Sequence, residues 1–130
     1  MKFFFLFLFL AFSSLCHAQW SIKFCEEVTP DGVCIYENTV VFLNDSSNTF
    51  SFLVCADGKI TFNTNKLHYS IYKIGTDNIP VYQFTIHQNI SGTWTYIMHD
   101  LNIDKAGLYE IRVEGEDKKL LCTGRVKILI

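Results

Sequence analysis

The sequence predicts a single all-β domain, an antiparallel sandwich of about seven to nine short strands behind a cleaved export signal. Three observations carry this. Short runs of alternating β-branched and aromatic residues recur along the chain, separated by turn residues at roughly ten-residue intervals. No segment keeps an amphipathic helical period over three turns. An even number of cysteines remains once the leader is removed, as exported β domains often have.

The leader sets the boundaries. Met1-Lys2 supplies a positive charge, Phe3 to Phe12 an apolar run, and Cys16-His17-Ala18 small residues at the positions a signal peptidase reads. The run is too short for a bilayer, which needs about 20 apolar residues, and no later stretch is longer. Acylation at Cys16 would want a small residue before it, and Leu15 is there. Residues 1–18 are therefore expected to be a signal peptide and residues 19–130 the domain, exported to the periplasm or secreted. The 130 residues less the 18 of the leader leave 112, enough for one real core. Lys2 leaves with the leader, so 10 basic side chains stand against 13 acidic ones. Neither a basic patch for nucleic acid nor a basic amphipathic helix for membranes is present.

The strands follow in order. Trp20 to Phe24 alternates, and Thr29-Pro30-Asp31-Gly32 turns the chain. Val33 to Tyr36 and Thr39 to Leu43 are short pieces before the polar loop Asn44 to Asn48. Phe50, Phe52 and Val54 alternate with Ser51, Leu53 and Cys55, and Asp57-Gly58 turns. Leu67, Tyr69 and Ile71 face opposite His68, Ser70 and Tyr72. Tyr82, Phe84 and Ile86 alternate with Gln83, Thr85 and His87, before a turn at Asn89 to Gly92. Trp94, Tyr96 and Met98 form one face, with Thr95, Ile97 and His99 on the other. Tyr109, Ile111 and Val113 alternate with Glu110, Arg112 and Glu114, and Gly115 to Lys119 closes the last hairpin. Val126, Ile128 and Ile130 share a face of the final strand, and Gly124 is expected at a bulge.

Little in the chain points to catalysis, and no enzyme, cofactor or metal is expected. His68, His87 and His99 fall on three separate strands, each on the side away from the larger apolar residues. They are read as solvent-facing and not convergent. No G-x-S-x-G elbow and no C-x-x-C pair occurs. Asp100, Asn102 and Asp104 sit on alternate positions like the start of a calcium loop, but the required Gly and Glu are missing. Asn44-Asp45-Ser46 and Asn89-Ile90-Ser91 are glycosylation sequons, relevant only in a host that reads them. His68 and Tyr72, with Ser and Thr neighbours, form a possible recognition face. Cys25, Cys34, Cys55 and Cys122 allow three pairings. The Thr29 to Gly32 reversal brings Cys25 opposite Cys34, within the roughly 7 Å a bridge needs.

Asp104-Lys105-Ala106-Gly107-Leu108-Tyr109 resembles the turn that enters the sixth strand of immunoglobulin-like domains. The resemblance makes Tyr109 a tyrosine corner and Asp104 the cap of its turn. The antibody-type core cysteine is replaced by Ile111, and the usual core Trp is absent from Leu67 to Ile74. Phe24-Cys25, Ile71-Tyr72-Lys73 and the ending from Gly107 to Gly124 are similar to small, uncharacterised exported bacterial proteins with a single immunoglobulin-like domain. That likeness implies an immunoglobulin-like sandwich and a second bridge, Cys55–Cys122, between its sheets. It implies no activity. The expected function is an exported, non-enzymatic binding module whose partner is a protein or glycan outside the cytoplasm. A weaker resemblance to small disulfide-bonded lipid-recognition sandwiches implies Cys25–Cys122 instead. It also implies a hydrophobic-ligand carrier, with a pocket lined by Phe50, Phe52, Phe84, Trp94 and Met98.

Overall fold

The computed structural model describes residues 20–43, 49–56 and 60–129, and the expected cleavage site, the Asn44 sequon and the Asp57-Gly58 turn lie outside them. Among the described residues nine strands form: β1 (Trp20–Val28), β2 (Cys34–Glu37), β3 (Val40–Phe42), β4 (Thr49–Ala56), β5 (Lys66–Ile74), β6 (Pro80–Asn89), β7 (Tyr96–Asn102), β8 (Gly107–Glu114) and β9 (Leu120–Leu129). They make two sheets, a four-stranded one in the order β2-β1-β4-β7 and a five-stranded one in the order β3-β9-β8-β5-β6. All pairings are antiparallel except β3 with β9, where Val40–Phe42 runs parallel to Lys127–Leu129. Among the described residues there is no helix, so none long and apolar enough to cross a membrane.

Period-two patterning builds the core. Phe24, Phe50, Phe52, Val54, Ile97 and Leu101 point inward from the smaller sheet, and Leu67, Tyr69, Ile71, Ile111, Val113, Val126 and Ile128 from the larger. Phe52 meets Tyr69 edge-on across the gap, with ring centroids 5.2 Å apart. Trp20 stacks on Phe62 at 4.3 Å and closes one end. Glycine is what lets the sheets approach at β9. A Cβ on Gly124 would stand 2.2 Å from Ile22 Cγ2 and 3.2 Å from Phe24 Cε2. Gly124 pairs in register with Ile111, and the irregularity falls at Val113/Glu114 instead, so the expected bulge at Gly124 is corrected to a close-approach glycine.

β8 opens on Gly107, held at φ 154° in the region that favours glycine. Tyr109 is buried, and its hydroxyl donates to the Lys105 carbonyl at 2.9 Å. We expect Tyr109→Phe to lower unfolding stability by about 1 kcal/mol, the net worth of one such bond. Urea denaturation of both forms checks this, and equal midpoints would mean the bond contributes nothing.

Cys25 and Cys34 are bridged, with Cα atoms 5.5 Å apart, as the reversal between them requires. The bridge ties down a hairpin whose turn reaches the far edge of its own sheet. Tyr96 Oη donates to the Pro30 carbonyl at 2.6 Å, and its ring lies against Gly32. Cys55 and Cys122 are free thiols, so the expected Cys55–Cys122 bridge is corrected, and Cys25–Cys122 is not formed either. The reason is facing. Cys55 shares the outer side of β4 with Ser51 and contacts Ser21 Oγ at 3.7 Å, whereas Cys122 is buried in the core.

Candidate functional site

The outer face of the five-stranded sheet gathers the side chains with the most chemistry, in three rows that cross the strands. Strand pairing places Tyr82, Tyr72, Glu110 and Arg125 in the first row, and Thr85, Ser70, Arg112 and Thr123 in the second. The third begins with His87, His68 and Glu114. Cross-strand neighbours of this kind approach closely enough to interact directly.

The first two rows interlock. Glu110 is buried (6% exposed), and it accepts from Arg112 Nε at 2.7 Å and from Arg125 Nε at 3.1 Å. The Arg112 guanidinium also lies over the Tyr72 ring, 4.0 Å from its centroid. Tyr72 meets Tyr82 edge to face at 5.7 Å, and Tyr82 Oη shares a hydrogen bond of 2.7 Å with Thr85 Oγ1. Thr85 Oγ1 is in turn 3.2 Å from Ser70 Oγ. Six side chains are therefore linked to one another and to Tyr72 while Tyr82 stays 56% exposed.

Burial works against the ionised form of Glu110, but the hydrogen bonds and charges of Arg112 and Arg125 outweigh it and hold the carboxyl below its usual value. A depressed carboxylate contributes stability that is present above the unfolded pKa, about 4.3, and lost as pH falls through the folded value. Wild type should therefore exceed Glu110→Gln in stability at neutral pH, and the gap should narrow below about pH 4. Urea midpoints at pH 7 and pH 3 check it, and a gap that does not change with pH would refute it.

The third row corrects the reading of the histidines. His68 and His87 are direct cross-strand partners, and their Nδ1 atoms are in hydrogen-bond contact with the rings edge to face, centroids 4.6 Å apart. Burial, then the neighbouring His87, lower the His68 pKa. His99 is not solvent-facing. It is half-buried on the inner side of β7 against Phe52 and Tyr69, at 5.6 Å and 5.1 Å between ring centroids. Gln88 Oε1 accepts from Tyr69 Oη at 2.7 Å and sits 3.1 Å from His99 Nδ1, which therefore carries the proton. This three-residue link fastens the two sheets at their open edge, and burial lowers the His99 pKa.

Met98, grouped by sequence with the larger apolar face, is 45% exposed because Ile97, His99 and Leu101 take the inner side of β7, and Trp94, 47% exposed, lies in the connection before that strand. Phe84 is 39% exposed while Phe50 and Phe52 are closed core, so the five residues named for a ligand pocket do not line one cavity. A depression of about 740 Å³ does exist, lined by Trp20, Phe62, Thr64, Glu116, Asp117 and Lys119 among others, but none of the five residues named for a ligand pocket lines it. Asp100 and Asn102 stand on β7, accepting from Ser51 Oγ at 2.5 Å and from Thr49 Oγ1, and are not on a cation-binding loop. Among the described residues no group of three or more His, Cys, Asp and Glu side chains is placed to hold a metal. Asn89 of the second sequon is exposed at the end of β6.

His68 and Tyr72 both lie on this outer face. Sequence reasoning missed Tyr82, Glu110, Arg112 and His87 as their neighbours. Glu110 and Arg112, oppositely charged two residues apart on one strand face, were a signal that could have been used.

No family model matches the chain, and no curated protein does. Solved structures with TM-scores above 0.5 share its fold. An immunoglobulin-like protein from Pseudomonas aeruginosa aligns at 13% identity over 88% of this chain and 99% of that one, with a TM-score of 0.53. The PmoD soluble domain from Methylocystis aligns at 9% identity over 87% of this chain and 93% of that one, also at 0.53. A superoxide reductase from Ignicoccus hospitalis aligns at 12% identity over 85% and 80%, with a TM-score of 0.45. Identities this low speak to fold alone. The domain is an all-β, immunoglobulin-like sandwich.

Proposed function

We propose that this domain is an exported, non-enzymatic interaction module that binds a protein through the outer face of its five-stranded sheet. The single observation that carries the reading is the Tyr72–Tyr82–Arg112–Glu110 cluster. It presents an exposed Tyr with its neighbours already fixed, and Tyr and Arg are the residues that anchor protein interfaces. Side chains ordered before binding lose less entropy on association. The chemistry of the remaining groups supports a binding rather than a catalytic role. The Cys122 thiol is pushed up to about 12 by burial and is a poor nucleophile. His99 is committed to Gln88 and packed between rings. The Cys25–Cys34 bridge fits an oxidising compartment, and the leader in the sequence fits export.

Capture from the secreted or periplasmic fraction tests this with two folded variants side by side. Tyr82→Ala should lose a partner that wild type retains, and Met98→Ala, exposed on β7 of the other sheet, should keep it. Loss with Met98→Ala alone would move the interface to the other sheet. Mass spectrometry of the exported chain should find Gln19 as its first residue, and an acylated Cys16 would overturn that boundary.

A further inference from the structure

We propose that His68 and His87 form a binding site for one divalent late transition-metal ion, of the nickel, copper and zinc class. The two residues are 19 apart in sequence and belong to no spacing motif, yet the β5–β6 register sets them directly opposite each other on the outer face. Their Nδ1 atoms point at the same spot. In the bare protein one ring must donate and the other accept there, so that spot holds a proton between two nitrogen lone pairs. An ion seated at that point takes both lone pairs once the donating ring changes to its Nε2–H tautomer, its Nδ1 proton passing to water while Nε2 takes one up, so both imidazoles stay neutral. Nitrogen–metal bonds of about 2.0–2.1 Å then need only a small outward turn of rings that already meet edge to face.

The surroundings select the class of ion. Glu114 is the partner of His68 on its other side and brings negative charge towards the site. Lys66 and Lys118 also act on His68 and oppose any cation. A hard ion such as Mg²⁺ or Ca²⁺ depends on oxygen ligands and finds too few here, whereas imidazole suits late transition metals. His87 is exposed, so an ion reaches the pair from solvent, and the remaining coordination positions fall to water or to a group on a bound partner. The site does not depend on the proposed protein interface, although it shares its face.

Calorimetric titration of the purified protein with Ni²⁺ in a non-chelating buffer tests the proposal. One ion should bind per chain. His87→Ala should weaken binding at least roughly tenfold, since losing even an outer partner of a ligand costs that much. Cys55→Ser should leave binding unchanged, which separates this site from the half-exposed thiol. In wild-type protein, Zn²⁺ should shift the Nδ1 resonances of His68 and His87 and leave His99 in place. Absence of saturable binding at millimolar ion would overturn the proposal and leave a hydrogen-bonded histidine pair. Equal affinity in His87→Ala, or a Zn²⁺ shift confined to other residues, would overturn it as well.

Discussion

Gly124→Val should destabilise the protein by about 3 kcal/mol, the upper part of the range for forcing extra carbon into a packed core. The first atom added already meets Ile22 Cγ2 at 2.2 Å, and the Phe24 ring stands behind it at 3.2 Å. Neither neighbour yields easily. Ile22 is β-branched and stiff at its first torsion, and Phe24 is wedged beside Phe50 and Phe52. The clash lies between β1 of one sheet and β9 of the other, so relief requires the sheets to separate. Ile22→Ala removes the methyl that is struck, and the double variant should recover on the order of 1 kcal/mol relative to the sum of the single effects. Denaturant midpoints of the four proteins give that coupling. Strict additivity would show that the two residues do not meet.

Cys34→Ala should cost roughly 2–3 kcal/mol, the chain-entropy value for a loop of about nine residues. The loss is larger than loop length alone suggests if the hairpin also releases its hold on Tyr96 through Pro30. Cys55→Ala should cost much less, since that thiol is unbridged and only half-buried. This order is the reverse of the one a Cys55–Cys122 bridge would impose. Thermal melts with and without reductant check it. Wild type should fall to the level of Cys34→Ala on reduction, and Cys55→Ala should fall by the same amount as wild type. A larger loss in Cys55→Ala than in Cys34→Ala would restore the inter-sheet bridge.

Most of the strands were legible because one side of each faces a core, and burial on one side writes a period of two into the sequence. Phe50-Ser51-Phe52 and Tyr109-Glu110-Ile111 are such cases, and both fold as read. The faces of β6 and β7 were harder. Tyr82, Phe84 and Ile86 alternate in sequence as one set. A register shift between Ile71 and Tyr72 separates them, so Tyr82 pairs with Tyr72 on the outer side while Ile86 packs against the core. In β7 both sides carry apolar residues at the start of the strand, and hydrophobicity alone could not choose Ile97 over Tyr96 and Met98. The histidine pair was illegible for a related reason. Only the β5–β6 register makes neighbours of His68 and His87, and that register depends on an irregularity the sequence does not mark. Gly124 reads as a bulge in the sequence, because a glycine at a bulge and one at a close approach look the same until the opposite sheet is in place.

Site-specific photocrosslinking in the cells that make the protein tests most directly the proposed role of the outer face of the five-stranded sheet. A photoreactive side chain at Thr123, exposed at the β9 end of the second row, should give a discrete protein adduct. The same group at Met98, exposed on β7 of the other sheet, should give none. An adduct from Met98 alone, or no adduct from Thr123, would contradict the account.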